Sequence, residues 1–302
     1  MISAVSVGVF DGLHLGHRAI LARALARARQ RSARCVVVSF DPHPDLVLAR
    51  SFQPVAPLTP HRERRALLAA LGVDHVEVIP FTRELAALEP EAFIERYLIE
   101  PFGMRDLVVG ANFALGRGRS GSVARLAEIG AARGFEVEAV PLLELDSLPV
   151  SSTRIRGLLA EGRVSEAARQ LGRRYSLGGV VVTGDGIGRT LGCPTANLQL
   201  PEEKLLPRDG VYAAWARIDD EATRRPAALS IGLRPTFGDQ PLAIEAHLID
   251  WSGELVGRTL TVEIESWLRG QEKYDSRDAL AAAIQADVRQ IRAQLAATSA
   301  PA

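Results

Sequence analysis

Two short stretches of the chain combine glycines with groups that can hold phosphate or move protons. The first is Gly8-Val9-Phe10-Asp11-Gly12-Leu13-His14-Leu15-Gly16-His17. Its glycines let the backbone approach a ligand closely, and a helix starting here would turn free N–H groups toward a phosphate. His14 and His17, three residues apart, can face one site and donate hydrogen bonds to charge that builds up at a phosphorus under attack. A glycine-rich turn with incidental histidines, or half of a metal site, would account for parts of the pattern. Neither accounts for glycines, histidines and a helix start together after the first strand, so the segment is read as a nucleotide site.

The second stretch is Gly184-Asp185-Gly186-Ile187-Gly188-Arg189-Thr190-Leu191-Gly192-Cys193-Pro194-Thr195-Ala196-Asn197. Spaced glycines suit a phosphate-cradling loop, although a barrel turn could show the same spacing. Thr195 and Asn197 supply what the glycines lack, a hydroxyl and an amide oxygen that can both reach a Mg²⁺ retaining several waters. Ser151-Ser152-Thr153-Arg154-Ile155-Arg156 reads as a hydroxyl-rich helix start, with Arg154 and Arg156 able to clamp a polyphosphate or simply to lie on the surface. Glu245, in Ile244-Glu245-Ala246-His247-Leu248, reads on its residues alone as a solvent-facing glutamate of an alternating strand.

The elements that must position these residues change character near residue 172. Before it, short apolar runs alternate with helical patterns: Val5–Val9, Cys35–Val38, Val76–Ile79, Leu107–Val109 and Val137–Val140 as strands, and Ile20, Leu21, Ala24, Leu25 and Ala28 as a helical stripe. Thr59-Pro60 predicts a cap and first-turn proline for a helix through Ala66–Leu71 that ends at Gly72. This is the pattern of a doubly wound α/β domain, whose ligand sits at the carboxyl ends of its strands. After Tyr175, period-2 runs such as Ile244/Ala246/Leu248 and Leu260/Val262/Ile264 predict an antiparallel barrel or sandwich. Leu280, Ile284, Val288, Ile291 and Leu295 mark one C-terminal amphipathic helix packed on it.

Composition bounds the reading. The 302 residues suffice for two domains, and 36 basic residues balance 36 acidic ones, so no basic face for long nucleic acids is expected. Two cysteines, Cys35 and Cys193, make no disulfide framework and suit a reducing cytosol. The opening residues lack the basic start of a signal peptide, and no apolar run approaches the roughly 18 residues of a membrane span. A cytoplasmic protein that binds neither nucleic acid nor membrane is expected.

Gly8–His17 resembles the HxGH signature of the nucleotidyltransferase superfamily and, in its longer GxFDGxHxGH form, the adenylyltransferase module of bacterial riboflavin kinase/FAD synthetases. Ser151–Arg156 is similar to the SSTxIR segment of that family, and Asp41-Pro42-His43-Pro44 and Gly110-Ala111-Asn112-Phe113 agree as well. Gly184–Asn197 resembles the riboflavin kinase signature GxxxGRxLGxPTAN, with matching segments at Pro207–Tyr212, Gly232–Phe237 and Leu268–Tyr274. The resemblance covers almost the whole chain. It implies an FMN adenylyltransferase domain over 1–172 and a riboflavin kinase β-barrel over 173–302, acting on ATP, riboflavin and FMN with Mg²⁺. Carried over residue by residue, it implies Gly8, Phe10, Asp11, Gly12, Gly16, Asn112, Ser152, Thr153 and Arg154 at the first nucleotide, with His14 and His17 at the reacting phosphate. It further implies Gly184, Gly188, Arg189, Gly192 and Pro194 at the kinase nucleotide, Thr195 and Asn197 on the metal, and Glu245 as the base. Where the family's commoner pattern has Asp-Phe-Arg-Phe-Gly following the glycine, this chain has Asn112-Phe113-Ala114-Leu115-Gly116. A kinase with a weak or inactive adenylyltransferase half and a non-catalytic flavin-binding sensor are therefore the alternatives to two active sites.

Overall fold

The computed structural model describes residues 2–48, 56–184, 188, 192–232 and 243–298. The chain divides into two compact units, Met1–Ser152 and Thr153–Ala302.

In the first unit, Ser3–Val7 (β1), Leu15–Gln30 (α1), Arg34–Asp41 (β2), His61–Ala70 (α2), His75–Pro80 (β3), Met104–Gly110 (β4), Val123–Arg133 (α3) and Glu136–Val140 (β5) alternate along the chain. The five strands form one sheet in the order β3-β2-β1-β4-β5, and every pair is parallel. Both faces are covered, which is why the strands read as continuous Val-rich runs. Ala4, Cys35, Val37 and Val108 pack with Leu21, Ala24 and Ala28 of α1 and Leu68 of α2. Val5, Val7, Val36, Val38, Leu107 and Val109 pack on the other face with Phe93, Leu98, Leu126 and Ile129. Each such buried side chain contributes roughly 1.5–3 kcal/mol before the cost of ordering it. Strand order reverses at β1, so the carboxyl ends of β1 and β4 border the crevice where an open α/β sheet holds its ligand.

The expected capping role of Thr59 is not the observed one. Pro60 occupies the N-cap of α2 with no side-chain cap bond, and the Thr59 side chain turns instead to the loop after β1.

The second unit begins with two helices, Ser152–Ala160 (α4) and Val164–Leu171 (α5). The barrel strands follow: Tyr175–Val182 (β6), Ala196–Gln199 (β7), Gly210–Ile218 (β8), Arg225–Gly232 (β9), Ala243–Leu248 (β10) and Thr259–Arg269 (β11). They close antiparallel in the order β6-β7-β10-β9-β8-β11. The helices α4 and α5 pack on this barrel, about twenty residues ahead of the boundary that sequence rhythm places at 172/173. Ser165 Oγ donates to the Glu265 carbonyl at 2.9 Å, Arg208 N–H to the Leu159 carbonyl at 2.9 Å, and Gly162 lies against the Trp267 ring. The C-terminal helix Arg277–Thr298 (α6) buries Ile291 and Leu295 against Val211, Ala213 and Ile249. A forked Arg269–Asp287 pair at 2.7 Å ties it to the end of β11.

Among the described residues no helix is long and apolar enough to cross a membrane. Both cysteines are buried, and burial together with Asp74 pushes the Cys35 thiol up to about 12.

Candidate functional sites

The loop between β1 and α1 takes a backbone course few sequences tolerate. Phe10, Gly12 and Leu13 all have positive φ, at 53°, 82° and 42°. Gly12 suits that conformation, whereas Phe10 and Leu13 must be held in it by their surroundings. The buried Asp11 carboxylate accepts N–H bonds from Leu58 at 3.1 Å and Thr59 at 2.9 Å, and a hydroxyl bond from Thr59 at 3.2 Å. The same Thr59 oxygen accepts the Gly12 N–H at 2.8 Å. Arg64 and Ser39 both donate to the Val9 carbonyl, at 2.7 and 3.2 Å, and Ser152 donates to the Asp11 carbonyl at 2.9 Å. The Asp11 side chain thus fixes the loop, while the loop's backbone is what faces the helix entrance.

The loop delivers the two histidines together. His14 is the N-cap of α1, and its Nδ1 accepts the His17 N–H at 3.3 Å. A nitrogen that accepts carries no proton, so neutral His14 holds its proton on Nε2. The rings stack with centroids 3.6 Å apart, and the Phe10 ring meets His17 edge-on at 5.3 Å. Burial, then the adjacent His14, then Arg64 hold His17 well below the ordinary imidazole range, so it is neutral at physiological pH. Gly8 and Gly16 lie close to the Phe10 and His14 rings, respectively.

Asn112 is exposed just past β4, the neighbour of β1, and its carbonyl accepts a bond from Arg119 at 3.1 Å. Ser152 opens α4; Thr153, exposed, and Arg154, half-buried, follow in a helix that packs with the second unit. Sequence reasoning missed Thr59 and Arg64 as supports of the loop. No local signal marks them, because their partners lie about fifty residues away in sequence.

The second site lies on the outer face of the barrel. Along β10, Ile244, Ala246 and Leu248 are buried, and Glu245 and His247 are half-buried on the opposite face. Register sets Asn197 of β7 and Ser230 of β9 directly across from Glu245, one on each side. Thr195 Oγ donates to Glu245 Oε1 at 3.2 Å. Gln271 donates to Ser230 Oγ at 2.9 Å, and the Pro194 carbonyl accepts from His247 Nδ1 at 2.8 Å. The flanking glycines are required by close approach: a Cβ on Gly184 would collide with the Asn197 amide, and one on Gly188 would stand 2.5 Å from the Cys193 carbonyl and 3.0 Å from Thr195 Oγ. The Cys193 N–H donates to the Gly188 carbonyl at 2.9 Å, closing the loop on itself. Gly192 has φ 76°. Arg189, with Asp185, Gly186 and the Leu233–Phe237 segment, lies outside the described residues.

The donors gathered here, a hydroxyl, an amide and a carboxylate, are hard oxygen ligands suited to Mg²⁺. Among the described residues no cluster of three His, Cys, Asp or Glu side chains could hold a metal by itself. A cation at Thr195 and Asn197 would therefore complete its shell with water and nucleotide phosphates, as Mg²⁺ commonly does. Because Thr195 directs its proton at Glu245, the lone pairs of its oxygen stay available to such an ion.

Comparison with known proteins places each half. The FAD synthetase family model matches residues 2–154 and the riboflavin kinase family model matches residues 171–295. A bifunctional riboflavin kinase/FMN adenylyltransferase of Pseudomonas fluorescens is 40% identical over 98% of this chain and 93% of its own. The proteins of that name from Listeria monocytogenes and Escherichia coli K12 are 36% and 35% identical, over 96% and 94% of this chain and 91% and 90% of theirs. A crystal structure titled as a macrolide-efflux protein of Streptococcus pneumoniae is 30% identical, with TM-score 0.85 over 96% of this chain and 94% of that one.

Proposed function

The chain belongs to the bifunctional riboflavin kinase/FMN adenylyltransferase family, and we propose that the two sites described above divide its two reactions between them. The protein phosphorylates riboflavin to FMN and adenylylates FMN to FAD, using ATP in both steps. What carries the division is the convergence of Thr195, Asn197 and Glu245 on one outer face of the barrel, while His14 and His17 stack at a helix entrance of the α/β unit.

At the barrel, Glu245 accepts the proton of riboflavin's terminal ribityl hydroxyl as that oxygen attacks the γ-phosphorus of ATP, and ADP leaves. Thr195 and Asn197 hold Mg²⁺, and the Gly184–Gly192 loop, with Arg189, cradles the phosphates. The bound ion supplies charge neutralisation on the phosphate oxygens. At the α/β unit, an FMN phosphate oxygen attacks the α-phosphorus of ATP and pyrophosphate leaves, with no covalent enzyme intermediate. His14 donates from Nε2 and His17 from its own ring to the oxygens where charge develops. The neutral His17 ring costs little to bring against Phe10, and the arriving polyphosphate favours its protonated form. Gly8, Phe10, Asp11, Gly12 and Gly16 shape the cradle, Asn112 borders it, and Ser152, Thr153 and Arg154 serve the phosphates. A cytoplasmic location belongs to the same reading.

Two substitutions test the barrel assignment. Thr195→Ala should raise the Mg²⁺ and ATP concentrations needed for half-maximal FMN formation. Glu245→Gln should leave MgATP binding intact and lower turnover by about 10²–10⁴-fold, the usual scale of a general base. Near-normal kinase turnover in Glu245→Gln would remove Glu245 from the role.

A further inference from the structure

The seam between β7 and β10 is short. It comprises two residue pairs, Ala196↔Ala246 and Asn197↔Glu245, against six between β9 and β10. Yet this seam sets the distance between the metal-holding pair and the base. Continuing the register by one step would set Thr195 across from His247, and by two steps Pro194 across from Leu248. Backbone pairing cannot carry it that far, because Pro194 has no N–H to give to a ladder. The observed bond at that point comes from a side chain: His247 Nδ1 lies 2.8 Å from the Pro194 carbonyl. A carbonyl only accepts, so the ring proton is on Nδ1 and the imidazole is the donor.

We propose that His247 is a positioning residue of the kinase site, which extends the β7–β10 seam by one side-chain bond and thereby fixes Thr195 relative to Glu245. The inference rests on the assignment of Thr195 and Glu245 to metal holding and base catalysis. The half-buried imidazole grips the backbone immediately before Thr195, and the Thr195 hydroxyl grips the carboxylate two residues before His247. These tethers close a small ring between the strand and the loop. The Thr195–Glu245 bond alone, at 3.2 Å and exposed, leaves the Thr195 oxygen free to swing with its backbone. Misplacing a ligand oxygen by a fraction of an ångström weakens metal and nucleotide binding more than it changes the basicity of Glu245. Loss of His247 should therefore appear first in the Mg²⁺ and ATP dependence.

Three substitutions in the full-length chain separate the ring nitrogens. An asparagine amide can stand where Nδ1 stands, and a glutamine amide reaches instead toward the place of Nε2. His247→Ala should raise both the Mg²⁺ requirement and the KM for ATP in FMN formation by about ten-fold or more, the scale for losing a support behind a metal ligand. The KM for riboflavin, and FAD formation from supplied FMN, should not change. His247→Asn should recover most of the loss and His247→Gln should not. Wild-type Mg²⁺ and ATP dependence in His247→Ala would overturn the proposal, as would recovery by Gln and not by Asn, which would put Nε2 on the substrate. If His247→Ala lowers the melting temperature of the barrel, the Asn and Gln variants still decide, since a purely structural loss would change stability without the Mg²⁺ shift. Glu245→Gln run in parallel distinguishes the premise: normal turnover there would mean the site itself is misassigned, whatever His247 does.

Discussion

The two sites of this chain are built by opposite strategies. At the α/β unit the chemistry is contiguous: positions 8–17 contain the glycines, the helix start and both histidines. Distant residues only nail that segment down, through Thr59, Arg64, Ser39 and Ser152. At the barrel the chemistry is scattered. Thr195 and Asn197 meet Glu245 across roughly fifty residues of sequence because β7 and β10 pair in one register. A slip by one residue would send Glu245 into the barrel interior and Ile244 or Ala246 outward. The first site is protected by redundancy in its supports, whereas the second depends on a seam two pairs long.

That contrast can be broken experimentally. After Glu245→Gln, the largest effect is expected at His17. Replacing it with Ala should slow FAD formation from FMN and ATP by about two orders of magnitude, as for other lost transition-state donors. FMN formation from riboflavin should be unchanged. Equal losses in both reactions would mean that His17 supports folding and that the sites are not separate in the manner described.

A smaller effect is expected from Thr59→Val, which keeps the shape of the side chain and removes its oxygen. The Gly12 N–H and one Asp11 oxygen then lose a partner, at about 1–3 kcal/mol for a buried polar group left unsatisfied. The loss should appear as a lower melting temperature of the first unit with the melting of the barrel unaltered. With several other tethers left on the loop, residual FAD formation should fall far less than in His17→Ala. A fall as large as that of His17→Ala would show that the supports are not redundant.

Legibility in the sequence follows the same divide. The five sheet strands, α1, the alternating barrel strands and α6 all come from periodicity, because burial on one or two faces imprints directly on residue type. The glycine–histidine loop was legible because its parts are adjacent. Asp11 was legible as important but not as to how: its carboxylate binds the backbone at Leu58 and Thr59, which only the fold brings near. Thr59 before Pro60 had the pattern of a cap, and tertiary demand from Asp11 and Gly12 claimed the side chain instead. The sequence rhythm groups α4 and α5 with the first unit because helices alternate with strands there, whereas the compact units divide at Ser152/Thr153. The packing of α5 on β6 and β11 follows from contacts such as Ser165 with Glu265, and α4 is tied by the Arg208 N–H to its Leu159 carbonyl; no local pattern announces either. Glu245 and His247 look alike in sequence, as polar residues on an exposed face. Only cross-strand register shows what each one touches.

The most direct test of two separate sites uses full-length His17→Ala and Glu245→Gln chains, incubated with riboflavin and MgATP singly and together, with the flavins resolved by chromatography. His17→Ala alone should stop at FMN, Glu245→Gln alone should leave riboflavin unconverted, and the mixture should produce FAD as one chain's FMN reaches the other's intact α/β site. FAD formed at the normal rate by either chain alone, or a mixture that stalls at FMN although the Glu245→Gln chain adenylylates supplied FMN, would contradict the account.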